Sequence, residues 1–454
     1  MKRSCLGACL LVAACFSEDD VDESGADDHG TTHAESSSTA TASATTATET
    51  SGLPTSTDDG SESVDTTADA PGCGDMMVGP DEDCDDGNDV PGDGCSACRV
   101  TGTLLWTQTL GMPGLRDDCY AVSLREHVIV VGDLSEAPDV YNGWVEAFDR
   151  EGTPAWRFDD DDDTSSGFRA LAWIDAQEFV AVGIHNNIGL VAGDGWAKRF
   201  TAGGVSGLEQ ELTWHDDMRL SGFVGVSTTG NDLVLAANVY LDGAYRAWYG
   251  ALPLDQYPEP AFSAESMGID PGVLIEGFDH GGARLRGLER HFSGTPNPLS
   301  LSAFEGTIVD PPATYDLGAS AATVVIAVDG SGRTWTCGSS DTASPRALQL
   351  GRVAASLDET AGQTHALDGD ATCHAITTVG EGAVLAARVD ATTLMLIEVD
   401  DQLEIVWSTT LDVGAAVPRS IALDEAGEAI ALCGVLPDGG EPAMDDAWIA
   451  LVVR

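Results

Sequence analysis

Residues 102–454 predict an all-β fold, a β-propeller of seven four-stranded blades, on three observations. Short apolar strands recur, ending at 132, 183, 237, 338, 387 and 434, a step of about 50 residues. The double step from 237 to 338 leaves room for a degenerate copy near 285, which brings the count to seven. Tryptophan-led segments recur in phase before these strands: Trp106-Thr-Gln-Thr-Leu, Trp156-Arg-Phe, Trp196-Ala-Lys-Arg-Phe and Trp407-Ser-Thr-Thr-Leu. No long helical periodicity competes. The stretch 257–315 departs from the pattern and bears on the blade count; an open stack of two β-sandwich domains is the competing architecture.

The plainest units are Ala327–Gly338 and Ala422–Gly434, each a strand end, an Asp-x-x-Gly turn and an apolar strand closing on glycine. Weaker copies are His127–Gly132, Glu178–Gly183, Leu233–Ala237 and Ala383–Ala387. These units are similar to the β-propeller repeats of bacterial secreted proteins. The in-phase tryptophans read as blade-packing residues rather than a ligand-stacking box. Trp173 and Trp214 fall outside that phase.

At the N-terminus, Lys2 and Arg3 precede an apolar run from Ser4 to Ala14, too short to cross a bilayer but of signal-peptide size. Its end, Val12-Ala13-Ala14-Cys15, resembles a bacterial lipoprotein signal, which implies residues 1–15 as the signal and a lipid on Cys15. An ordinary secretory signal is the alternative. Both imply export and an oxidising environment for the remaining cysteines. Residues 16–71 contain no Lys or Arg and are rich in Ser, Thr, Asp and Glu. That composition offers too little apolar surface to offset chain entropy, so a disordered acidic linker is expected there.

Residues 72–101 hold Cys73, Cys84, Cys95 and Cys98 among glycines and acids, with almost no aliphatic residues. Such a segment holds its shape through covalent or metal staples. Four cysteines allow three disulfide pairings, and zinc is the rival reading of Cys95-Ser-Ala-Cys98. The order Cys73-Gly-Asp, Glu82-x-Cys84-Asp-Asp-Gly-Asn88, Gly92-Asp-Gly-Cys95-Ser96 resembles the cysteine-rich repeat of myxobacterial surface proteins. The resemblance implies an exported disulfide module and assigns no activity. Two residues separate Cys95 from Cys98, where that repeat usually has three.

In the head, Cys119 and Cys373 occupy equivalent positions early in a unit, and Cys337 and Cys433 share a place in the following strand. We expect Cys337 to bridge Cys373, and Cys433 to bridge Cys119, the second bond joining the last unit to the first. Buried thiols are the alternative.

A formal net charge of −54 and a pI near 4.1 argue against binding nucleic acid or an anionic membrane surface through charge. Nucleophile-elbow, zinc-protease, Walker and dinucleotide motifs are absent from the sequence. Two leads remain. Asp159, Asp160, Asp161, Asp162 and Asp163 form a run that is unfavourable unless solvated or neutralised by a cation; no cofactor is expected, and calcium is the candidate at this run. His215-Asp216-Asp217 beside Trp214 is the other. His374 replaces Tyr120 at an equivalent strand position, which favours a structural role.

The resulting expectation is a monomeric lipoprotein of the cell envelope, at the outer membrane or cell surface. Its propeller head recognises a protein or polysaccharide ligand and shows no evident catalysis. A hydrolase or lyase with carboxylates in the propeller funnel, or a calcium-dependent adhesin, are the other classes.

Overall fold

The computed structural model describes residues 74–454 except 77, 80–81, 89, 97, 112–114, 138–139, 161–164, 186–193, 206–218, 242–243, 255–272, 282–283, 292–298, 306–312, 319–320, 341–344, 359 and 438–444. Cys15, the stretch 16–71 expected to be a linker, and Cys73 lie outside the described residues. Pro71–Arg454 forms one compact unit, so the cysteine-rich segment and the head belong together.

That unit begins with a small hairpin, β1 (Cys95–Ser96) and β2 (Arg99–Val100), followed by β3 (Leu104–Leu110). Seven antiparallel sheets then follow in a ring. The first blade holds β4 (Asp117–Leu124), β5 (Val128–Ala137), β6 (Val140–Phe148) and β7 (Pro154–Asp159). The second holds β8 (Gly167–Trp173), β9 (Glu178–His185), β10 (Asp194–Thr201) and the two-residue β11 (Gly204–Val205). The third shows three strands among the described residues, β12 (Arg219–Thr229), β13 (Asp232–Leu241) and β14 (Ala244–Pro253).

The fourth blade comprises β15 (Val273–Gly281), β16 (Arg284–His291), β17 (Leu299–Glu305) and β18 (Ala313–Gly318). It fills the stretch whose sequence departs from the repeat. The fifth comprises β19 (Ala321–Val328), β20 (Thr334–Ser340), β21 (Leu348–Val353) and β22 (Thr360–His365). The sixth comprises β23 (Ala371–Val379), β24 (Gly382–Val389), β25 (Thr393–Val399) and β26 (Ile405–Leu411). The seventh takes β27 (Val417–Leu423), β28 (Ala429–Leu436) and β29 (Asp446–Val453) from the end of the chain, and β3 as its outer strand. Ring closure thus joins both ends of the head in one sheet, with Trp106 opposite Leu451 and Thr109 opposite Trp448.

The second strands are covered on both faces by neighbouring blades, which is why most of them carry an apolar run. Val128, Ile129, Val130 and Val131 are all fully buried. The layer between the last and first blades packs Cys119, Trp144 and Phe148 with Cys433, Ile449 and Leu451. The next layer packs Ile129 and Val131 with Phe168, Phe179 and Trp196. In-phase tryptophans tie blades together: Trp106 Nε1 donates to Arg150 O at 2.9 Å, and Trp156 Nε1 to Ala202 O at 2.8 Å.

The Asp-x-x-Gly turns are closed by their aspartates. Asp149 Oδ1 accepts from Glu151 N and Thr153 N, and Asp329 Oδ1 from Ser331 N and Arg333 N. The glycines of these turns, Gly152 and Gly332, sit at φ 83° and 82°, where a side chain is strained. The glycines that close the second strands do different work. A Cβ on Gly132 would lie 1.9 Å from Asp118 O, one on Gly183 1.9 Å from Gly167 O, and one on Gly434 2.0 Å from Val417 O. Each faces a backbone bulge in the inner strand beside it. Glycine is there for close approach, not for turning.

Cys119 and Cys433 are joined between the first and seventh blades, and Cys337 and Cys373 between the fifth and sixth. In the hairpin segment Cys84 is bonded to Cys95, with Cα atoms 5.9 Å apart. Cys98 Sγ lies 3.4 Å from Glu82 Oε1.

Candidate functional site

The bulge recurs near the start of every inner strand: between Cys119 and Ala121, Phe168 and Ala170, Phe223 and Gly225, Ile275 and Gly277, Ala321 and Val324, Cys373 and Ala375, and Pro418 and Ser420. A bulge leaves one residue unpaired and re-aims its side chain. Inner strands line a propeller's central channel, so in the six blades where the shift leaves a single residue its side chain is presented at one end of it. Going round from the sixth blade these are His374, Arg419, Tyr120 and Arg169, then Val224 and Glu276.

The first four make a continuous polar arc. The Tyr120 ring is held between two guanidinium groups, Arg169 Cζ at 3.8 Å and Arg419 Cζ at 4.6 Å from its centroid. Such stacking restrains both cations and leaves their edges as donors. Tyr120 Oη donates to Asp118 Oδ2 at 2.8 Å; Arg116 Nε donates to the same oxygen at 3.1 Å, and Arg419 Nη2 to Oδ1 at 2.9 Å. Arg169 Nη1 donates to Asp133 Oδ2 at 2.5 Å, while the buried Asp133 Oδ1 is unpartnered. Burial, aided by Asp118, raises the Asp133 carboxyl against the lowering effect of Arg169. Burial also pushes the Tyr120 hydroxyl up, so it remains a donor.

His374 is pushed down from 6.5 to about 4, by burial first and then by Arg388 and Arg419. The folded ring is therefore neutral across conditions in which the unfolded chain takes up a proton. Stability is complete above pH 6.5, falls as pH drops from 6.5 towards 4, and levels below that. The total loss is about 2–3 kcal/mol after allowance for partial exposure. Urea midpoints for wild type and His374→Gln at pH 7.5 and 4.5 check this: the wild type is expected to lose more stability than the variant by about that amount.

The sequence leads separate on the structure. Asp159 forks with Arg157, whose Nη2 lies 2.6 Å from Asp159 Oδ1. Asp160 is buried instead, its Oδ2 3.7 Å from His185 Nε2. These two neighbours point to different surroundings; Asp161, Asp162 and Asp163 lie outside the described residues, as do Trp214, His215, Asp216 and Asp217. Among the described residues no group of three or more His, Cys, Asp or Glu is arranged to hold a metal ion. Trp173 Nε1 donates to Ser123 Oγ of the preceding blade at 2.7 Å, and Arg125 stacks on its ring at 4.4 Å.

Sequence reasoning paired Tyr120 with His374 and read the position as structural. The structure puts both at the channel end and adds Arg169 and Arg419. A signal was available: in each of these four units the residue sits at the same offset before the first strand's apolar run. Their differing chemistry hid the equivalence.

The fold and this arc define a seven-bladed propeller with a polar channel mouth built from four consecutive blades. Residues 68–99 match a family model described as Domain of unknown function (DUF4215), consistent with a cysteine-rich repeat module. No curated protein matches the sequence. Among solved structures the chain is similar to the crystal structure of RRP9 WD40 repeats, at 10% identity and TM-score 0.48, over 78% of this chain and 99% of that one. It is also similar to the structure of the Dos1 propeller, at 8% identity and TM-score 0.46, over 76% of this chain and 95% of that one. At those values neither likeness bears on function.

Proposed function

We propose that this chain is an exported lipoprotein, anchored in the cell envelope through lipidated Cys15 and carrying its propeller on the acidic 16–71 linker as a recognition head. The observation that carries the binding role is the arc of His374, Arg419, Tyr120 and Arg169. It offers aromatic, cationic and neutral donor groups from four blades at one opening, a mixed lining suited to holding a ligand. Two of the carboxylates beside this arc are engaged, Asp118 by Arg116, Tyr120 and Arg419 and Asp133 Oδ2 by Arg169, which favours binding over hydrolysis. A general acid–base pair needs carboxyl groups that face substrate instead.

The test is a pull-down from envelope and culture-supernatant extracts with the full chain as bait, in calcium and again in chelator. Tyr120→Ser serves as the comparison, since it keeps every ion pair of the arc. A saturable protein or polysaccharide partner is expected in both buffers, weakened at least tenfold by Tyr120→Ser. A partner held only in calcium and indifferent to Tyr120→Ser would move the site to the Asp159–Asp163 run and sink this reading.

A further inference from the structure

At one register of the second strands five blades carry a polar residue, where the second and seventh have Ile184 and Val435. It is the residue after Gly132, Ala237, Glu289, Gly338 and Ala387. Asp133 reaches Arg169 of the next blade. Asn238 bonds Ile275 N at 2.7 Å and Ile275 O at 3.1 Å, again in the next blade. Ser339 Oγ accepts from Cys373 N at 3.2 Å. In the fourth blade the residue is Arg290, and the bulged Glu276 of the same blade supplies its carboxylate, with Nη2 to Oε2 at 2.9 Å.

In the sixth blade the same register holds Arg388, opposite Thr372. The bulged residue that corresponds to Glu276 is His374. Arg388 thus has a neutral imidazole where Arg290 has a carboxylate. Its Nη2 donates to Ala391 O, its buried Nε is unpartnered, and no carboxylate lies within ion-pair distance of it among the described residues. His374 makes no hydrogen bond among those residues either. The charge from the seventh blade that acts on His374 is Arg419, a second cation, oriented by Asp118 and Tyr120. Burial depresses the Arg388 guanidinium with nothing opposing it, which is unusual company in a chain of formal charge −54. Arg388, His374 and Arg419 are each half-buried, so each keeps some contact with solvent.

We propose that the carboxylate of a small organic acid, entering from the channel, binds beside Arg388 in the place that Glu276 fills beside Arg290. This rests on the recognition reading above and names the chemistry of the ligand. Arg388 supplies the cation, Arg419 a second one already oriented, and His374 a neutral ring nitrogen that donates a hydrogen bond. Carboxylate fits the junction because the fold itself uses one at the equivalent point of the fourth blade.

The experiment titrates the full chain with sodium acetate and sodium malonate, and separately with inorganic phosphate, at constant ionic strength. Imidazole resonances are followed by NMR, with His374 assigned through His374→Gln. Saturable shifts of His374 and an upward move of its pKa are expected with acetate and malonate, with phosphate weaker at pH 7. Arg388→Gln is expected to weaken the response at least tenfold and to leave Tm in plain buffer unchanged or higher, because an uncompensated charge is removed. His374→Glu, which builds the Glu276–Arg290 pair into the sixth blade, is expected to raise Tm in plain buffer, and an unchanged or lower Tm would count against the correspondence. No saturable shift with either carboxylate, an equal response in Arg388→Gln, or tighter binding of phosphate would overturn the assignment. An extract partner lost in Tyr120→Ser but retained by Arg388→Gln would leave recognition standing and remove only the carboxylate.

Discussion

Replacing Cys119 and Cys433 together by alanine is expected to destabilise the propeller by about 2 kcal/mol more than replacing Cys337 and Cys373 together. All four cysteines are fully buried, so the cavities left by alanine are comparable and largely cancel in the difference. What differs is the loop each bond closes in the unfolded chain. The first spans a sequence separation of 314 residues and the second 36. Loop-closure entropy grows with the logarithm of length, which puts the two bonds at about 6 and about 4 kcal/mol in the chain-entropy model. Urea unfolding of wild type and both double variants under oxidising conditions measures the difference. Equal losses would mean that the bonds act through native packing rather than through the unfolded chain.

Arg454→Met is expected to cost about 3–5 kcal/mol. Arg454 forks onto Glu398, with Nε to Oε2 at 2.8 Å and Nη2 to Oε1 at 2.7 Å, and each side chain is only 11% exposed. Trp407 Nε1 donates to the same Oε2 at 2.6 Å, so loss of the arginine strands a nearly buried carboxylate with one neutral donor. Glu398→Met in the Arg454→Met background is expected to recover most of the loss, since apolar replacement of both partners removes the desolvation cost as well as the attraction. The cysteine-rich segment rests on this trio: a Cβ at Gly92 would lie 3.2 Å from Glu398 Oε2 and Trp407 Nε1, and 3.3 Å from Arg454 Nη2. Limited proteolysis should therefore cut within residues 74–100 faster in Arg454→Met than in wild type. Chemical denaturation of the two single variants and the double completes the cycle. A double variant no more stable than either single would show that the pair contributes more than it costs to bury.

The fourth blade shows why one repeat was hard to see. Its second strand, β16, reads Arg-Leu-Arg-Gly-Leu-Glu-Arg-His where other blades have an apolar run. Arg286 is nonetheless fully buried, donating to Leu285 O at 2.9 Å and Ala355 O at 3.0 Å. Glu289 is buried too and accepts from Tyr249 Oη of the preceding blade at 2.8 Å. Polar partners from elsewhere in the chain replace hydrophobic burial there, and a local hydropathy pattern carries no trace of partners 40 or 69 residues away.

Closure was half visible. Equivalent repeat positions pointed to Cys119 and Cys433, because position in a repeat translates into position in the ring. The strand that completes the last blade, β3, shares the Trp-led outer-strand motif with Trp156 and Trp407. Its motif is local, but its pairing with β29 crosses nearly the whole head and follows from the geometry of a closed ring.

What the sequence determined by itself was whatever repeats: the all-β class, the step of about 50 residues, the aspartate turns, the packing tryptophans and the positions of the ring cysteines. Period and turn chemistry are local, so they survive in one dimension. Only the tertiary structure decided the channel mouth. His374, Arg419, Tyr120 and Arg169 differ in chemistry and lie far apart along the chain, and they meet because a bulge at one register turns each inward as the blades close round. A site formed by such non-equivalent side chains at equivalent places has no pattern to read until the ring exists.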